Sequence, residues 1–498
     1  MPNQAKSKID PSVVHPHYAE YSEQWLLCRD AYAGEKAIKQ RAGGGGAKGS
    51  WPGAAYLFPL SSHETQEEYA YYRDRAVWYN AVYRTVQGLR GMIFRQPPHA
   101  VIPKAIKEHA EDITQDGVNL EQFAKKATDE LLIAGRGGIL VEYPKMDAPG
   151  GGETMSDFEK ANRRPFWKFY PAEAILHWRR EWRRNRSMLT RIALRETVEV
   201  QDAANEFAAV EEERVRILEI NGLGQYQQRV FVYQEKEWAL QDGPIVPLRA
   251  GQPLDFIPFA FLGLGDSAAE VERPPLYDLA VTCVMHYRNS ADLENGLHVC
   301  GVPTPWAAGF KGNEKGEFQL GSSEAWVTDE VGATAGFLEF TGQGLGAIAQ
   351  AMAVKVEAMA ALGSRVLAPE KRAVETAETA LLHRTGENSI LADIAGNISA
   401  VMEKCLKWHA QWMGLKESEI NYQLNRDFFP APMSPDEIRA TLEAWQAGAI
   451  AYTDVVRLLK QGEVLDPGRE PDDIRAENDM EPKLMATNIA NMPFAMGE

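Results

Sequence analysis

The sequence predicts an α+β fold, because helical and strand-like periodicities occupy separate blocks of the chain. Apolar residues recur at helical spacing in residues 63–94 and 120–134. Between residues 165 and 258 they alternate with polar residues in four segments that turn signals separate. Helical spacing returns after residue 275. This mixture favours a mixed fold over an all-helical or all-β one.

The composition is that of a globular protein. Of 498 residues, 45% are hydrophobic and 25% are charged, and the net charge is −17. These values exclude wholesale disorder, a collagen-like chain and a disulfide scaffold, and the length corresponds to about three domains. The acidic balance argues against a protein whose main task is to grip nucleic acid, because that needs clustered lysine and arginine.

The cysteines and the apolar runs of the sequence predict the cellular compartment of the protein. The four cysteines (Cys28, Cys283, Cys300, Cys405) include no CxxC pair, so we expect buried thiols in a reducing compartment rather than a zinc ribbon or disulfides. Residues 1–10 lack the apolar core of a secretory signal. We also expect no apolar run near the roughly 20 residues that cross a bilayer. The protein is therefore predicted to be cytoplasmic at synthesis.

The N-terminal region predicts a short helix and a glycine-rich loop. Aromatic residues and Cys28 repeat at helical spacing within residues 10–29, and residues 43–53 include four consecutive glycines. Such backbone freedom favours a mobile arm or loop. A phosphate-binding loop would need Gly-Lys followed by Ser or Thr, whereas this chain has Lys48-Gly49-Ser50.

The next two blocks are predicted as helices and then strands. One long helix is expected over residues 63–94, a second over 120–134, and a strand over 139–143. Five arginines within residues 179–186 fit either a solvated hairpin turn, which the flanking strands favour, or a nucleic-acid patch. The three glutamates at residues 211–213 are expected in a turn between strands.

Helices dominate the C-terminal half. They are expected over residues 275–298, 344–367, 379–414, 434–447 and 453–461, and Ser434 to Glu437 is a capping box. AWVTDE (325–330) and GFLEF (336–340) are predicted as two short strands. Small residues fill the helix over 344–367, which permits close helix packing in a ring of neighbours or in an ordinary bundle. Residues 434–481 carry 12 acids against 5 bases. This acidity fits either a solvated surface or a surface that excludes nucleic acid.

Enzymatic motifs are weak. Residues Gly342 to Ala347 fit G-x-G-x-x-A, but a dinucleotide site also needs a following strand that ends in an acid, and Glu357 lies within the helix. His15-Pro16-His17 is no preformed metal site, and no HExxH or GxSxG motif occurs. The remaining histidines are expected to pack on helix faces. We therefore predict no catalytic residue, no metal site and no cofactor.

The order of elements resembles the portal proteins of tailed bacteriophages, particularly a portal family catalogued only as a domain of unknown function. The resemblance spans residues 56–463 and rests on these segments: YAYYRDRAVWYNAVYRTVQGLRGMIFRQPP, FYPAEAILHWR with LTRIALRE, ADLENGLHVCGVPTPWAAG, GFLEFTGQGLGAIAQAM, LGSRVL and ETAETALLHRTGENSILADIAGNISAVMEKCL. Portals are rings, usually of about twelve subunits, at one vertex of the capsid.

The resemblance implies a division of the chain into the parts of a portal subunit. These are an N-terminal arm (1–55), a wing of mixed helix and sheet (56–274), a stem helix (275–300), a clip (301–341), a second stem helix (342–367), a tunnel loop (368–376), a long wing helix (377–427) and a helical crown or C-terminal region (428–498).

It also implies partners and site residues. The ring, a dodecamer, would pass double-stranded DNA during packaging and ejection, within the virion after assembly in the host cytoplasm. Arg365, Lys371 and Arg372 are the candidates that would face DNA in the tunnel. The clip would dock the terminase large subunit and then a head-completion or adaptor protein, and its candidates are Trp306, Phe310, Trp326 and Phe337. Major capsid and scaffolding proteins would be further partners, with no membrane.

Two alternatives remain open from the sequence. One is a soluble enzyme that uses a nucleotide at residues 342–347, and the other is a minor head or adaptor protein that forms a ring without recruiting terminase. A portal subunit would not be an enzyme, because ATP hydrolysis belongs to the terminase. The acidic chain would repel DNA broadly while a few cations at the constriction touch it, which allows the polyanion to slide.

Overall fold

A computed structural model describes residues 10–44, 46–143, 164–183, 185–202, 205, 207–249, 251–265, 269–301, 304–310, 326–338, 342–363, 377–426, 428, 433–462, 464–465, 469 and 471–480. Helices and antiparallel sheets both contribute, so the prediction of a mixed α+β chain is confirmed.

Six helices precede the first long strand. They are α1 (Pro16–Ala33), α2 (Glu35–Gln40), α3 (Gln66–Arg75), α4 (Ala81–Ile93), α5 (Lys104–Ala110) and α6 (Leu120–Ala134). Helix α1 is packed into the body through the fully buried Trp25 and Cys28. The glycine-rich segment 43–53 folds back on itself, with the Gly43 N–H donating to the Gly49 carbonyl at 2.8 Å.

The single helix expected over residues 63–94 is wrong, because the chain breaks between α3 and α4. Helix α3 ends at Ala76, where the backbone becomes extended, and the Val77 N–H donates to Ser290 Oγ at 2.9 Å instead of continuing the helix. Asn80 Oδ1 then caps α4 by accepting from the Tyr83 N–H at 2.9 Å. The break buries Trp78 against Tyr287, their ring centroids 5.8 Å apart. Tertiary contacts therefore override the helical periodicity.

A three-stranded sheet lies beside α6 in the order β11-β2-β3. Its strands are β2 (Arg136–Glu142), β3 (Phe166–Pro171) and β11 (Phe259–Gly263). Helix α6 ends at Gly135, whose φ of 70° is favourable for glycine, and β2 begins at the next residue. Gly138 lies under the Phe259 ring, where any side chain would clash.

A five-stranded antiparallel meander follows in the order β4-β5-β6-β7-β8. Its strands are β4 (Ile175–Arg183), β5 (Arg186–Gln201), β6 (Ala209–Ile220), β7 (Tyr226–Gln234) and β8 (Glu237–Ile245), and the short β9 (Leu248–Arg249) pairs with β10 (Gln252–Pro253). The arginine-rich run forms the β4–β5 hairpin, as predicted. The turn expected at residues 211–213 is wrong: they lie within β6, where Arg195 of β5 pairs with Glu213 at 3.2 Å.

The second half of the chain adds six helices: α7 (Tyr277–Gly301), α8 (Leu345–Gly363), α9 (Ala377–Trp412), α10 (Pro435–Gln446), α11 (Tyr452–Gln461) and α12 (Pro471–Met480). Strands β12 (Thr304–Ala308) and β13 (Thr334–Leu338) pair between α7 and α8, and β1 (His99–Val101) pairs with β14 (Asn421–Gln423). Ser434 caps α10 in the expected capping box. Helix α12 was not predicted, because its sequence is mostly polar.

Helix α9 crosses the centre of the body. From Leu391 onward it buries apolar residues at helical spacing, including Ile394, Ile398 and Cys405. The fully buried His409 meets His109 of α5, with Nε2 and Nδ1 2.9 Å apart. Burial, with the nearby charges of His109 and Arg164, lowers the pKa of His409 to about 3. His409 is therefore a neutral packing residue, as the sequence predicted for its helix-face histidines.

A buried ion network ties the two larger sheets together. Arg216 of β6 donates to Glu142 of β2 at 2.9 Å and to Glu196 of β5 at 2.9 Å, while the Tyr170 hydroxyl donates to Glu196 at 2.5 Å. Burial raises the pKa of Glu196, but the charges of Arg216 and Lys168 and the hydrogen bonds outweigh it, so the pKa lies below its ordinary value. The ionised carboxylate is thus part of the fold.

We expect Arg216→Met to lower the free energy of unfolding by about 3–5 kcal/mol, because it removes the cation that hydrogen-bonds the largely buried Glu142 and Glu196 and leaves them with the more distant Lys168, at 3.7 and 3.8 Å. Arg195→Met is the matched control: its pair with Glu213 is 40% and 45% exposed, so it should cost about 0–1 kcal/mol. Denaturant unfolding at neutral pH measures both. Equal losses would contradict a structural role for the network.

The same network predicts a pH dependence. The pKa of Glu196 is lower in the folded state than in the unfolded state. Its ionised carboxylate therefore stabilises the fold at pH values above the unfolded-state pKa, and this stabilisation is lost as the pH falls through the folded-state pKa. The difference in the free energy of unfolding between the wild type and Arg216→Met should therefore become smaller at acidic pH.

Candidate functional site: the helix–hairpin–helix arm

Residues 277–363 form a helix–hairpin–helix arm that consists of α7, β12, β13 and α8. Along its helices Leu279 lies against Gly363, and Cys283 Sγ lies 3.3 Å from Met359 Sδ. Farther out, Gly296 lies against Leu345 and Cys300 against Gly342. Each step forward along α7 is matched by a step of nearly the same length in the opposite direction along α8 and the residues before it. The helices are therefore antiparallel along their length, about 30 Å at 1.5 Å per residue.

The hairpin at the end of the arm continues this register. Thr304 pairs with Leu338 and Ala308 with Thr334. Trp306 lies opposite Gly336, where an added Cβ would be 3.2 Å from the indole Nε1. The glycine therefore leaves room for the indole.

One of the two predicted strands of the hairpin is wrong. Residues 326–330 of AWVTDE have no strand structure, and β13 pairs instead with TPWAA, residues 304–308. Thr328 Oγ1 donates to the Gly309 carbonyl at 3.0 Å and accepts from the Glu330 N–H at 3.2 Å, which holds this segment in a turn. GFLEF is confirmed as a strand up to Leu338.

The root of the arm is fixed to the body. The Tyr72 hydroxyl donates to Asp292 at 2.6 Å, and Arg288 Nε donates to the Tyr56 carbonyl at 2.7 Å. Burial, with the charge of Lys355, lowers the pKa of His286 on the same half of α7. Beyond Ala291 no residue of α7 is buried. The arm thus has a packed root and an exposed outer half.

Helix α8 leaves part of its apolar surface exposed. Only Met359 and Gly363 are buried, whereas Val354 is 59% exposed and Leu362 is 49% exposed. By length and composition α8 is apolar enough to cross a membrane, with a mean hydropathy of 1.4. The expectation that no apolar run reaches this length is therefore wrong, because the many alanines of α8 raise its mean hydropathy without standing out as an apolar block.

The four aromatic residues predicted at the hairpin fall into two places. Trp306 is 45% exposed and Phe337 is 57% exposed, and their register places them on opposite faces of the hairpin. Phe310 and Trp326 lie beside each other, with ring centroids 6.5 Å apart in an edge-to-face arrangement. The structure thus brings the four to one end of the arm without forming a single cluster.

The predicted tunnel residues Arg365, Lys371 and Arg372 lie outside the described residues, between the end of α8 and the start of α9. The residues that sequence reasoning missed are exposed apolar side chains of both helices, namely Met285, Leu297, Val299, Val354 and Leu362. Periodicity identified the helices, but it carried no signal of which apolar face would lack a partner.

The geometry does not favour a nucleotide site at residues 342–347. Strand β13 pairs only with β12, antiparallel, in a two-stranded sheet, whereas a dinucleotide site requires a parallel βαβ unit. Gly342 has a φ of 64° and packs against Cys300, which accounts for the glycine by backbone geometry. Within the described ranges, no cluster of three or more His, Cys, Asp or Glu could hold a metal ion.

A family model matches the part of the chain that contains the arm. The family model "Domain of unknown function (DUF4055)" matches residues 275–413, which contain the arm and α9. None of the curated proteins compared with the sequence matches it.

Among solved structures, chains from gene transfer agent (GTA) particles are similar at low levels. "Virion of native gene transfer agent (GTA) particle" is 11% identical, with a TM-score of 0.37, covering 80% of this chain and 94% of that one. "Neck of empty GTA particle computed with C6 symmetry" is 11% identical, with a TM-score of 0.35 and coverages of 76% and 90%. "Neck of native GTA particle computed with C12 symmetry" is 10% identical, with a TM-score of 0.36 and coverages of 76% and 89%. Scores this low establish neither a shared fold nor a shared activity.

The close approach of the helices can be tested at Gly363. A Cβ there would lie 2.7 Å from Thr85 Oγ1 and 2.9 Å from Leu279 Cδ2, so Gly363→Ala should destabilise the root by about 1–3 kcal/mol. Gly346→Ala, also in α8 but facing open space, should be neutral or slightly stabilising. Thermal unfolding of both variants tests this expectation. Similar melting temperatures for the two variants would contradict tight packing at Gly363.

Proposed function

We propose that this protein is the portal subunit of a tailed bacteriophage or phage-like particle. In this role it forms a ring at one capsid vertex through which double-stranded DNA enters and leaves. The observation that carries the proposal is the arm, whose two antiparallel helices project from the body and leave apolar residues of α8, Val354 and Leu362, exposed. This matches the two stem helices and clip that the sequence resemblance implies.

A ring of identical copies explains the exposed face of α8. Exposed apolar surface of this extent marks an interaction site, and burying it is worth about 25 cal/mol per Å². A heterologous contact, in which α8 of one copy meets a different surface of the next, closes into a ring when the rotation permits. The small residues of α8 allow neighbouring helices to approach closely.

A bilayer is a less suitable partner for the same helix. Helix α8 carries Lys355 and Glu357, and the outer half of its partner α7 carries Glu294 and His298. A pair of spanning helices would place these groups in or near hydrocarbon at a high cost. Protein neighbours on one face and water on the other suit the sequence better.

The net charge of the chain indicates how DNA would pass through the ring. A chain with a net charge of −17 repels DNA over most of its surface, so the polyanion is not held tightly. We propose that Arg365, Lys371 and Arg372, which immediately follow α8, supply the few cations that touch DNA. ATP hydrolysis would belong to the terminase large subunit, which docks at the hairpin before a neck protein replaces it.

The ring is tested by changing exposed residues of α8. We expect the wild type to form rings of about twelve subunits, and Val354→Glu/Leu362→Glu to remain monomeric with unchanged helix content, because buried unpaired carboxylates are costly. Val210→Glu/Leu223→Glu is the matched control, since Val210 of β6 is 49% exposed and Leu223 in the β6–β7 turn is 84% exposed. Native mass spectrometry and negative-stain class averages measure the outcome.

A wild type that stays monomeric alone and with capsid and scaffolding proteins would contradict the proposal. Rings that form equally well in the α8 double variant would show that assembly does not use this face. A wild-type monomer that binds a dinucleotide would instead favour the enzyme alternative.

The docking role of the hairpin is tested separately. We expect Trp306→Ala/Phe337→Ala to assemble into rings but to bind the terminase large subunit at least about tenfold more weakly, because exposed aromatic side chains often dominate interfaces. Phe207→Ala, at a residue 90% exposed between β5 and β6, is the control. Rings that recruit terminase normally despite the double change would show that docking does not use this surface, and wild-type rings that bind no terminase would favour the adaptor alternative.

A further inference from the structure

The first described residues of the chain are attached to strand β4 through His15, and we define residues 10–18 as the latch segment. The His15 backbone N–H donates to the Leu176 carbonyl at 2.8 Å, and its half-buried ring stacks on the Trp178 indole with centroids 3.9 Å apart. The same side chain caps α1, because His15 Nδ1 accepts from the His17 N–H at 3.2 Å. One imidazole therefore supports the segment through its backbone, its ring face and its acceptor nitrogen.

The latch segment covers an apolar part of the five-stranded sheet. Val14 and Tyr18 pack against the buried cluster that contains Leu176. Two turns farther along α1, Trp25 is fully buried. The segment can therefore leave the sheet while the remainder of α1 stays in place.

Three histidines meet at this attachment. The centroid of the His15 ring lies 5.2 Å from that of His17 and 5.5 Å from that of His177 on β4. His15 and His177 are half-buried, and His17 is exposed. Protons can therefore reach the group from solvent, and two charges on it would lie close together.

A buried cation lies against the same tryptophan. Arg136 of β2 is 1% exposed, and its Cζ lies 4.0 Å from the Trp178 ring centroid. Its Nη1 donates to the Ala269 carbonyl at 3.1 Å, whereas its Nε and Nη2 are buried without a hydrogen-bond partner. Within the described ranges no carboxylate forms an ion pair with Arg136. Trp178 thus contacts an uncompensated guanidinium as well as the His15 ring.

A charge on His15 would have only positive neighbours among the described residues. Burial is the first cause that lowers the pKa of His15, and the charges of His177, His17 and Arg136 lower it further. An imidazolium on an indole is ordinarily favourable, but here Arg136 already lies against that indole. The neutral form of His15 is therefore the one that fits the attachment.

His177 has the same kind of surroundings on the sheet. Arg179 follows it by two residues on β4 and lies opposite Arg191 of β5, so all three side chains are on one face. Burial, and then the charges of Arg191 and Arg179, lower the pKa of His177. The carboxylates beside these arginines are already engaged, Glu181 with Arg179 and Glu219 with Arg191, each at 3.0 Å.

We propose that His15 and His177 form a pH-sensitive latch, which keeps the latch segment on the five-stranded sheet while both rings are neutral and releases it when they are protonated. A protonated His15 has no acceptor nitrogen, so the cap of α1 is lost, and each new charge lies beside others of the same sign. Release uncovers Trp178 and Leu176. The latch lies within one subunit and does not require the ring proposed above.

The direction of the pH dependence follows from these surroundings. The pKa of each histidine is lower when the segment is docked than when the ring is free in water. Docking is therefore favoured above the ordinary histidine pKa of about 6.5, and it weakens as the pH falls from there toward the docked-state pKa.

Hydrogen–deuterium exchange with mass spectrometry measures release, with labelling times scaled to the intrinsic exchange rate. We expect the protection of residues 11–18 to fall about tenfold or more between about pH 7.5 and about pH 5, while peptides of α6 stay protected. His15→Asn keeps a capping side chain that cannot be protonated, so its protection, although lower without the stack, should not depend on pH. His99→Gln removes an exposed histidine of β1 and, as the matched control, should behave like the wild type.

Substitutions of His177 supply the opposite test. His177→Arg should reduce the protection of the latch segment already at about pH 7.5, and His177→Gln should move its loss to lower pH. Equal protection of the wild-type segment at both pH values would overturn the latch, as would simultaneous loss in α6 or an unchanged acid response in His15→Asn. If His15→Asn releases the segment at every pH, His177→Gln decides: loss at the wild-type pH overturns the latch, and loss at lower pH supports it. The ring is measured separately, so its failure would leave these outcomes unaffected.

Discussion

The structure depends on how α7 is held at one end only. Its first half is clamped by Ser290, which accepts from the Val77 backbone, and by Asp292, which accepts from Tyr72. Both partners lie at or near the break between α3 and α4, so that break is what fixes the root of the arm. Because the second half of α7 has only α8 for a neighbour, α8 projects with it. The fixed root and free outer half together create the surface on which the proposed function rests.

Charged residues are paired inside the body, whereas some at the surface are not. Within the body, Arg216 is satisfied by Glu142 and Glu196 in a buried network, where leaving out one partner would be costly. At the surface, no carboxylate among the described residues forms an ion pair with Arg180 or Lys404. In the same part of the chain, no cation forms an ion pair with Glu443, Asp472 or Asp473. A folded chain tolerates exposed unpaired charge because water solvates it. The same charges become specific only when a neighbour removes that water.

Most elements were predictable because their signals are local. Helix α6 has the predicted bounds, and Ser434 caps α10 in the predicted motif, since caps and apolar spacing are properties of adjacent residues. The errors occurred where distant contacts decide. Ser290 lies more than 200 positions from Val77, and TPWAA is paired by β13 across residues 309–333, so neither local pattern could show the partner.

The sequence by itself determined the α+β class, the helical periods of α7, α8 and α9, and the small-residue character of α8, because each depends on the spacing of residue types along the chain. The tertiary structure alone decided that α7 and α8 are antiparallel in a continuous register with the hairpin. It also decided that Val354 and Leu362 face outward. Exposure depends on which elements are neighbours in space, and a periodic sequence gives a helix its apolar face without saying what covers it.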